Sequence, residues 1–132
     1  MSIEVRDILD VSQAETIITD YVNAWVKQDI DAIQEVCHDD CRIQILNSVN
    51  CNKLNDFRKE LECWFVSGNE IHSWNILDQI YATTDNGGTG YFDSIFDVTI
   101  NGVRRRERGV TVVIFENGKI MNMRSYSTRI IQ

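Results

Sequence analysis

The spacing of apolar residues changes at Gly68, and this change constrains the fold more than any other feature of the sequence. Before Gly68, apolar residues recur about every three to four positions, which is typical of amphipathic helices. After it, runs rich in β-branched and aromatic residues alternate with turn sequences, which indicates strands. A block of helices followed by a block of strands predicts the α+β class. The 132 residues fit a single domain, residues 1–132.

Two helices are predicted in the first part of the chain. The sequence Ser12-Gln13-Ala14-Glu15 resembles a capping box, in which two side chains satisfy backbone donors at a helix start. It predicts a first helix over about residues 14–28. Asp29 can cap a second helix, which His38-Asp39-Asp40 ends.

A third helix follows a short polar stretch. Residues 42–46 are rich in isoleucine and predict a short strand, whereas residues 47–52 are polar and predict a loop. From Leu54 to Phe65 the apolar residues again have helical spacing. Gly68 suits the left-handed position that ends such a helix.

Three turn sequences divide the rest of the chain: residues 85–88, Asn101-Gly102 and Asn117-Gly118. They predict four strands, at about residues 71–83, 89–100, 103–116 and 119–129. Gly109 within a strand predicts a bend or bulge, as a strongly curved sheet needs. We therefore predict three N-terminal helices packed on a strongly curved, mainly antiparallel sheet.

The register of one hairpin follows from a two-residue turn at Asn101-Gly102. It places Phe96 opposite Glu107 and Asp97 opposite Arg106 on the neighbouring strand. Because successive side chains alternate between faces, Phe96 and Glu107 share one face of the sheet, which we take as the inner face.

The register of the last strand stays open. A three-residue loop at Asn117-Gly118, which we favour, places Met123 and Ser125 on the same face as Thr111. A two-residue turn would reverse the strand and bring Arg124 inside instead, because a shift of one residue moves every side chain to the other face.

The net charge of -7 argues against nucleic acid as a partner, since phosphate binding needs a clustered basic face. Four arginines do cluster between Arg104 and Arg108. We expect them to pair with Asp93 and Asp97 across the strands instead, on the outer face.

The N-terminal residues 1–7 carry acids where a signal peptide would carry basic and then apolar residues, and no apolar run is long enough to span a membrane. These features predict a cytoplasmic protein without membrane contact. The four cysteines, Cys37, Cys41, Cys51 and Cys63, lack the usual spacing of zinc ligands. We expect free thiols and no bound metal or other cofactor.

The order of elements resembles the nuclear transport factor 2-like superfamily, which includes ketosteroid isomerase and the polyketide cyclases. Residues 21–40 resemble the first two helices of that family, and residues 115–126 resemble its last hairpin. The resemblance implies a cone-shaped, cystatin-like α+β barrel with an apolar pocket inside. It also implies a homodimer through the convex face of the sheet, which would bury Val110, Val112 and Ile114.

The same resemblance limits the possible reactions. Tyr21 matches the tyrosine that donates a hydrogen bond to the substrate of ketosteroid isomerase. Ile45, however, occupies the position of its aspartate base, and Thr111 that of a second, protonated aspartate. Ser125 occupies the place expected for one aspartate of the related epoxide hydrolases. Steroid isomerisation by that mechanism is therefore not expected.

Several inward-facing residues are candidates for the site. A pocket for a small apolar molecule is predicted to be lined by Trp25, Trp64, Trp74, Phe92, Ser94, Phe96, Thr111, Met123 and Ser125. The family alignment also places Trp74, Ile76, Asp78 and Ile80 on the inner face. For catalysis the candidates are Tyr21, Glu107 and Asp78, although each is also compatible with a structural role.

Two functions from different classes remain open. One is a non-catalytic domain that binds a small apolar molecule. The other is a cofactor-free isomerase, cyclase or hydrolase, with a carboxylate as base and Tyr21 as donor to a carbonyl compound. The position of Arg105 distinguishes these two functions. If Arg105 pairs with Glu107, the carboxylate stays charged and has a structural role. If it does not, Glu107 becomes a plausible base.

Overall fold

The computed structural model describes residues 9–45 and 49–130. Within them, three helices precede most of a six-stranded mixed sheet that is strongly curled. The elements are α1 (Val11–Val26), α2 (Ile30–Glu35), β1 (Cys37–Ile45), β2 (Val49–Asn52), α3 (Leu54–Val66), β3 (Glu70–Thr83), β4 (Gly87–Ile100), β5 (Val103–Glu116) and β6 (Lys119–Arg129). The strand order is β2-β1-β6-β5-β4-β3, and among these pairs β1 and β6 are parallel. The predicted fold class is confirmed.

The first helix begins earlier than predicted. Asp10, not Ser12, is its capping residue: the carboxylate accepts a hydrogen bond from the Gln13 backbone at 2.7 Å. The Gln13 side chain in turn accepts one from the Asp10 backbone at 2.9 Å. The capping box is therefore real but lies two residues upstream, because aspartate and glutamine satisfy the same donors as the predicted serine and glutamate.

The chain between the second and third helices forms a hairpin. Asp29 caps α2 as predicted, through a 3.1 Å bond from the Ala32 backbone. His38-Asp39-Asp40, however, belongs to β1 rather than to a helix end, and Val49–Asn52 is a strand rather than a loop. Val49 and Cys51 are buried while Asn50 and Asn52 are exposed, an alternation that signals a strand despite its polar composition.

Three parts of the sequence predictions lie outside the described residues. These are the acidic N-terminus at residues 1–7, the end of the predicted short strand at Leu46, and the first two residues of the predicted loop, Asn47 and Ser48. In the described part of the chain, no helix is long and apolar enough to cross a membrane.

The Asn101-Gly102 hairpin has the predicted register. Phe96 pairs with Glu107, and Asp97 pairs with Arg106. On the outer face of this sheet, Arg104 makes two 3.0 Å bonds to Asp97. Arg108 contacts Asp93 in the same way, at 2.7 and 3.3 Å. The expected cross-strand pairing with aspartates is therefore confirmed for Arg104 and Arg108, whereas Arg105 bonds to Glu107 instead.

At Asn117-Gly118 the predicted turn is wrong but the predicted facing is right. Both residues have positive φ, +53° and +70°, and the turn contains only these two residues. A bulge then inserts Met121 into β6, because Phe115 pairs with Ile120 whereas Ile114 pairs with Asn122. The two-residue turn by itself would bring Arg124 inside, but the extra residue moves the following side chains back to the other face. Thr111 therefore pairs with Ser125 on the inner face, and Arg124 is exposed.

A bulge also changes the facing of β3. Ile76 pairs with Ser94 and Asp78 pairs with Asp93, so Leu77 is the inserted residue. Before it, Trp74 and Ile76 face inward as predicted; after it, Asp78 and Ile80 lie on the outer face and are exposed. Their predicted inward facing is wrong. A second bulge in the same strand lies at His72.

Gly109 has a role other than the predicted bulge. The pairing on both sides of it continues without a register shift, as Ser94 and Ser127 lie opposite it. A Cβ placed on Gly109 would lie 2.7 Å from the Tyr126 carbonyl oxygen and 2.9 Å from the Ser127 Cβ. A side chain at this position would therefore force a local shift, because β6 approaches β5 closely there.

Candidate functional site

The inner surface of the sheet and the helices enclose an open cavity of about 550 Å³. Its lining includes Trp25 from α1, Trp64 from α3 and inward-facing residues of β3, β4, β5 and β6. A cavity of this size is ordinary for the binding of a small organic molecule. The predicted lining residues that do line it are Trp25, Trp64, Trp74, Ser94, Phe96, Thr111 and Ser125.

Aromatic side chains form one wall of the cavity. Trp25 and Trp64 meet edge to face with ring centroids 5.2 Å apart. Trp74 packs on Phe96 at 5.8 Å. Because these rings pack against one another, they form a rigid apolar surface, which can bury a flat or hydrophobic ligand at little cost in side-chain entropy.

A second, polar part of the lining is organised around Glu107, which pairs with Phe96 on the neighbouring strand. One carboxylate oxygen accepts a hydrogen bond from Arg105 Nε at 2.6 Å, and the other accepts one from Ser127 Oγ at 2.6 Å. The Glu107 side chain is only 10% exposed. Both oxygens of this carboxylate are therefore already engaged, and an opposite charge compensates its burial.

Hydroxyl groups also belong to the lining of the cavity. Ser94 Oγ accepts a hydrogen bond from Trp74 Nε1 at 2.9 Å. Thr111 and Ser125 share a hydrogen bond of 2.9 Å between their hydroxyl oxygens. These internal bonds satisfy polar groups that the apolar neighbours would otherwise leave unpaired, and they fix the rotamers of the surrounding side chains.

Tyr21 does not line the cavity. Its side chain is fully buried and packs edge to face against Trp25 and Trp74, with ring centroids 6.3 and 6.2 Å away. Among the described residues, neither Tyr21 Oη nor Trp25 Nε1 has a hydrogen-bond partner. Burial, followed by the proximity of the Cys37 thiol, raises the pKa of Tyr21 well above its usual value. The hydroxyl is thus a protonated donor enclosed beneath the aromatic wall.

Three other predicted residues also lie away from the cavity. Phe92 and Met123 face inward but are fully buried in the core, with Phe92 packed on Trp74 at 6.2 Å. Asp78 is exposed and lines a separate groove, to which Thr19 and Asn23 of α1 also belong. Of the three predicted catalytic residues, only Glu107 lines the cavity.

Several lining residues were not predicted from the sequence. Ser127 and Arg129 follow Ser125 at alternate positions of β6, so the favoured register contains the signal that would have found them. The buried residues Ile71 and Val98 gave no comparable signal, since an inward-facing apolar position is the same in a filled core and in a cavity wall. The remaining unpredicted lining residues are Ile45, Ile100, Asn101, Val103, Gly109 and Tyr126, whereas Arg105 was expected beside Glu107.

The described residues contain no group of three histidine, cysteine or acidic side chains placed to hold a metal ion. Two buried thiols of β1 and β2 have raised pKa values. A hydrogen bond with the Cys41 thiol is the main cause for Cys37, and burial raises the pKa of Cys51 to about 12. All four cysteines are free, and Cys63 alone among them is exposed.

No protein-family model matches the sequence, and no curated protein is significantly similar to it. Solved structures are similar. An LEH-like epoxide hydrolase from Mycobacterium tuberculosis has 14% identity and a TM-score of 0.71, over 89% of this chain and 84% of that one. An NTF-2 like protein from Burkholderia xenovorans LB400 has 15% identity and a TM-score of 0.66, over 92% and 87%. A putative isomerase from Bacillus subtilis has 11% identity and a TM-score of 0.66, over 89% and 87%. Identities this low establish likeness of fold alone.

Proposed function

We propose that this chain, which has the nuclear transport factor 2-like fold, is a non-catalytic domain that binds a small, mainly apolar molecule in its cavity. The observation that carries the proposal is the pairing of Glu107. A general base must be directed at the proton of a bound substrate rather than held by other donors. Here Ser127 and the Arg105 guanidinium each donate to one oxygen of Glu107, and this ion pair supports a structural role for the carboxylate in the polar wall.

The lining supports an elongated or flat ligand with distinct ends. Trp25, Trp64, Trp74 and Phe96 provide apolar surface, whereas hydroxyl and charged groups of β4, β5 and β6 provide hydrogen bonds. Binding would bury the apolar part against the rings, which is the main favourable contribution, and the polar groups would fix its orientation.

A thermal-shift screen tests the proposal. Hydrophobic ketones, aldehydes, lactones and aromatic acids are added to the folded protein, because a ligand that binds only the folded state raises its melting temperature. Trp64→Ala should abolish the shift produced by any hit. Val66→Ala, two residues away on the same helix but 87% exposed, is the matched control and should leave it unchanged. A panel without any hit, or hits insensitive to Trp64→Ala, would contradict the proposal.

A second candidate is acid–base catalysis on a small carbonyl compound. It is favoured by the one observation that a buried carboxylate, Glu107, lines the cavity. A ligand that took the place of Ser127 would bring its own proton to the Glu107 carboxylate, which could then act as a base. In that case Glu107→Gln should abolish turnover of a hit compound while binding persists. If the hit compounds are recovered unchanged after incubation with the wild-type protein, the candidate fails.

We also propose that two copies associate through the outer face of the sheet. Val110, Val112 and Ile114 are 40, 42 and 46% exposed on adjacent outward positions of β5, and Tyr126 of β6 is 53% exposed beside them. A row of exposed apolar residues of this kind favours association. Light scattering at micromolar concentration should give twice the mass of the chain, and Val112→Glu should give the monomer. A monomeric wild-type protein would refute the dimer.

We further propose that the protein is cytoplasmic. The four cysteines are free thiols, although three of them lie close together in the core. Free thiols of this kind fit a reducing compartment. Fractionation of the cells that express the protein would decide the location, and recovery outside the cytoplasm would contradict it.

A further inference from the structure

We propose that the ligand carries a carboxylate, which Arg105 binds at the polar wall of the cavity. This inference rests on the proposed binding function and specifies the chemical class of its ligand. The guanidinium of Arg105 is held by Glu107 on one side, and its other side faces the cavity without a partner among the described residues.

Arg105 uses one of its three nitrogens within the protein. Its Nε donates to Glu107 at 2.6 Å. Within the described residues, neither terminal amino group of Arg105 has a hydrogen-bond or ion-pair partner at bonding distance, and 33% of the side chain is exposed. A guanidinium presents five N–H donors in a planar fork, so four of them remain for a ligand.

Glu107 acts as a positioning residue for this fork. Its second oxygen accepts from Ser127, which fixes the plane of the carboxylate and, through it, the orientation of Arg105. A fork held in this way loses less conformational entropy when it binds a ligand. The planar, bidentate geometry of a carboxylate matches the terminal amino groups of arginine.

The charge of the lining also favours an acid. The charged residues that line the cavity are Arg105, Glu107 and Arg129, which give two positive charges and one negative charge, a net charge of +1. The protein as a whole has a net charge of -7. Asp93 and Asp97 lie on the outer face, each in contact with its own arginine, so neither neutralises the cavity. A positive lining in an acidic protein is a local feature of this site.

The aromatic wall defines the rest of the ligand. Trp25, Trp64 and Trp74 lie in the same cavity as Arg105, so the apolar body and the acidic end are recognised together. The class that fits is an aromatic or alicyclic carboxylic acid. Its carboxylate would contact the fork, and its ring would pack against the tryptophans.

Calorimetric titration with 2-naphthoic acid and 2-naphthamide tests the inference, because the two probes share shape and differ in charge. The wild-type protein should bind the acid at least about tenfold more tightly than the amide, a difference of about 1.4 kcal/mol. Arg105→Gln should remove this preference but keep binding of the amide. Arg106→Gln is the matched control: Arg106 is the next residue of β5, but its side chain lies on the outer face, so this variant should keep the wild-type preference.

The outcomes separate the two proposals. If both probes bind with equal affinity, the inference is overturned and the binding function stands. If neither probe binds, the inference is also overturned, and the thermal-shift panel decides the binding function separately. Should Arg105→Gln fail to fold, Arg105→Lys replaces it: a point charge without the fork should reduce the preference severalfold, and an unchanged preference would exclude bidentate recognition.

Discussion

Replacing Gly109 with alanine distinguishes two explanations for this glycine, because they predict changes of opposite sign. If Gly109 only supplied flexibility for a bend, alanine would stabilise the protein by about 0.5–1 kcal/mol, through a smaller entropy of the unfolded chain. In the structure the new methyl group would lie 2.7 Å from the Tyr126 carbonyl oxygen and 2.9 Å from the Ser127 Cβ. Both neighbours are backbone or close to it, so they cannot rotate away.

The magnitude follows from these two contributions. Overpacking typically costs about 1–3 kcal/mol, and the entropic gain offsets part of it. Gly109→Ala should therefore lower the free energy of unfolding by about 1–2 kcal/mol. The strands would also have to separate locally, and because Gly109, Ser127 and Tyr126 line the cavity, ligand binding should weaken as well.

Urea denaturation followed by tryptophan fluorescence measures the change. With a slope of about 2 kcal/mol per molar urea, the midpoint should fall by roughly 0.5–1 M. Thr128→Ala is the control, because Thr128 is exposed and points away from the cavity on the next residue of β6, and it should change stability by no more than about 0.5 kcal/mol. A Gly109→Ala protein as stable as the wild type, or more stable, would refute the close-approach explanation.

Three further predictions follow from local geometry. Asp10→Ala should destabilise the protein by about 1 kcal/mol in thermal unfolding, whereas Ser12→Ala should not destabilise it, because Asp10 caps α1. A hydrogen bond from its arginine partner lowers the pKa of Asp93 below the usual 3.8. The contribution of this carboxylate to stability is therefore present above pH 3.8 and is lost as the pH falls through the lower pKa of the folded state. In urea denaturation at a series of acid pH values, Asp93→Asn should weaken the fall in the free energy of unfolding. An unchanged pH dependence would contradict the pairing. Iodoacetamide at pH 8 should label Cys63 alone in the folded protein and all four cysteines after unfolding, since the others, such as Cys51, are buried; mass spectrometry counts the adducts.

Local signals were enough to predict most of the elements. The end of α3 at Gly68 and the hairpin at Asn101-Gly102 both depend on positive φ, which short sequences reveal. The Phe96–Glu107 pairing followed directly from that turn, and so did the inward facing of Glu107. β2 was missed because its residues are polar, and its identity as a strand depends on pairing with β1.

The sequence by itself determined the order of helices and strands, the hairpin turns and the pairing of Glu107 with Phe96, because each depends on residues close together in the chain or on one short turn. The tertiary structure alone decided the facing of Asp78, since Leu77 bulges only when β3 is laid against β4. It also decided that Tyr21 lies beneath the cavity wall rather than in it. Whether an inward-facing side chain fills the core or lines a cavity depends on the volume of all its neighbours, and no local pattern of residues contains that information.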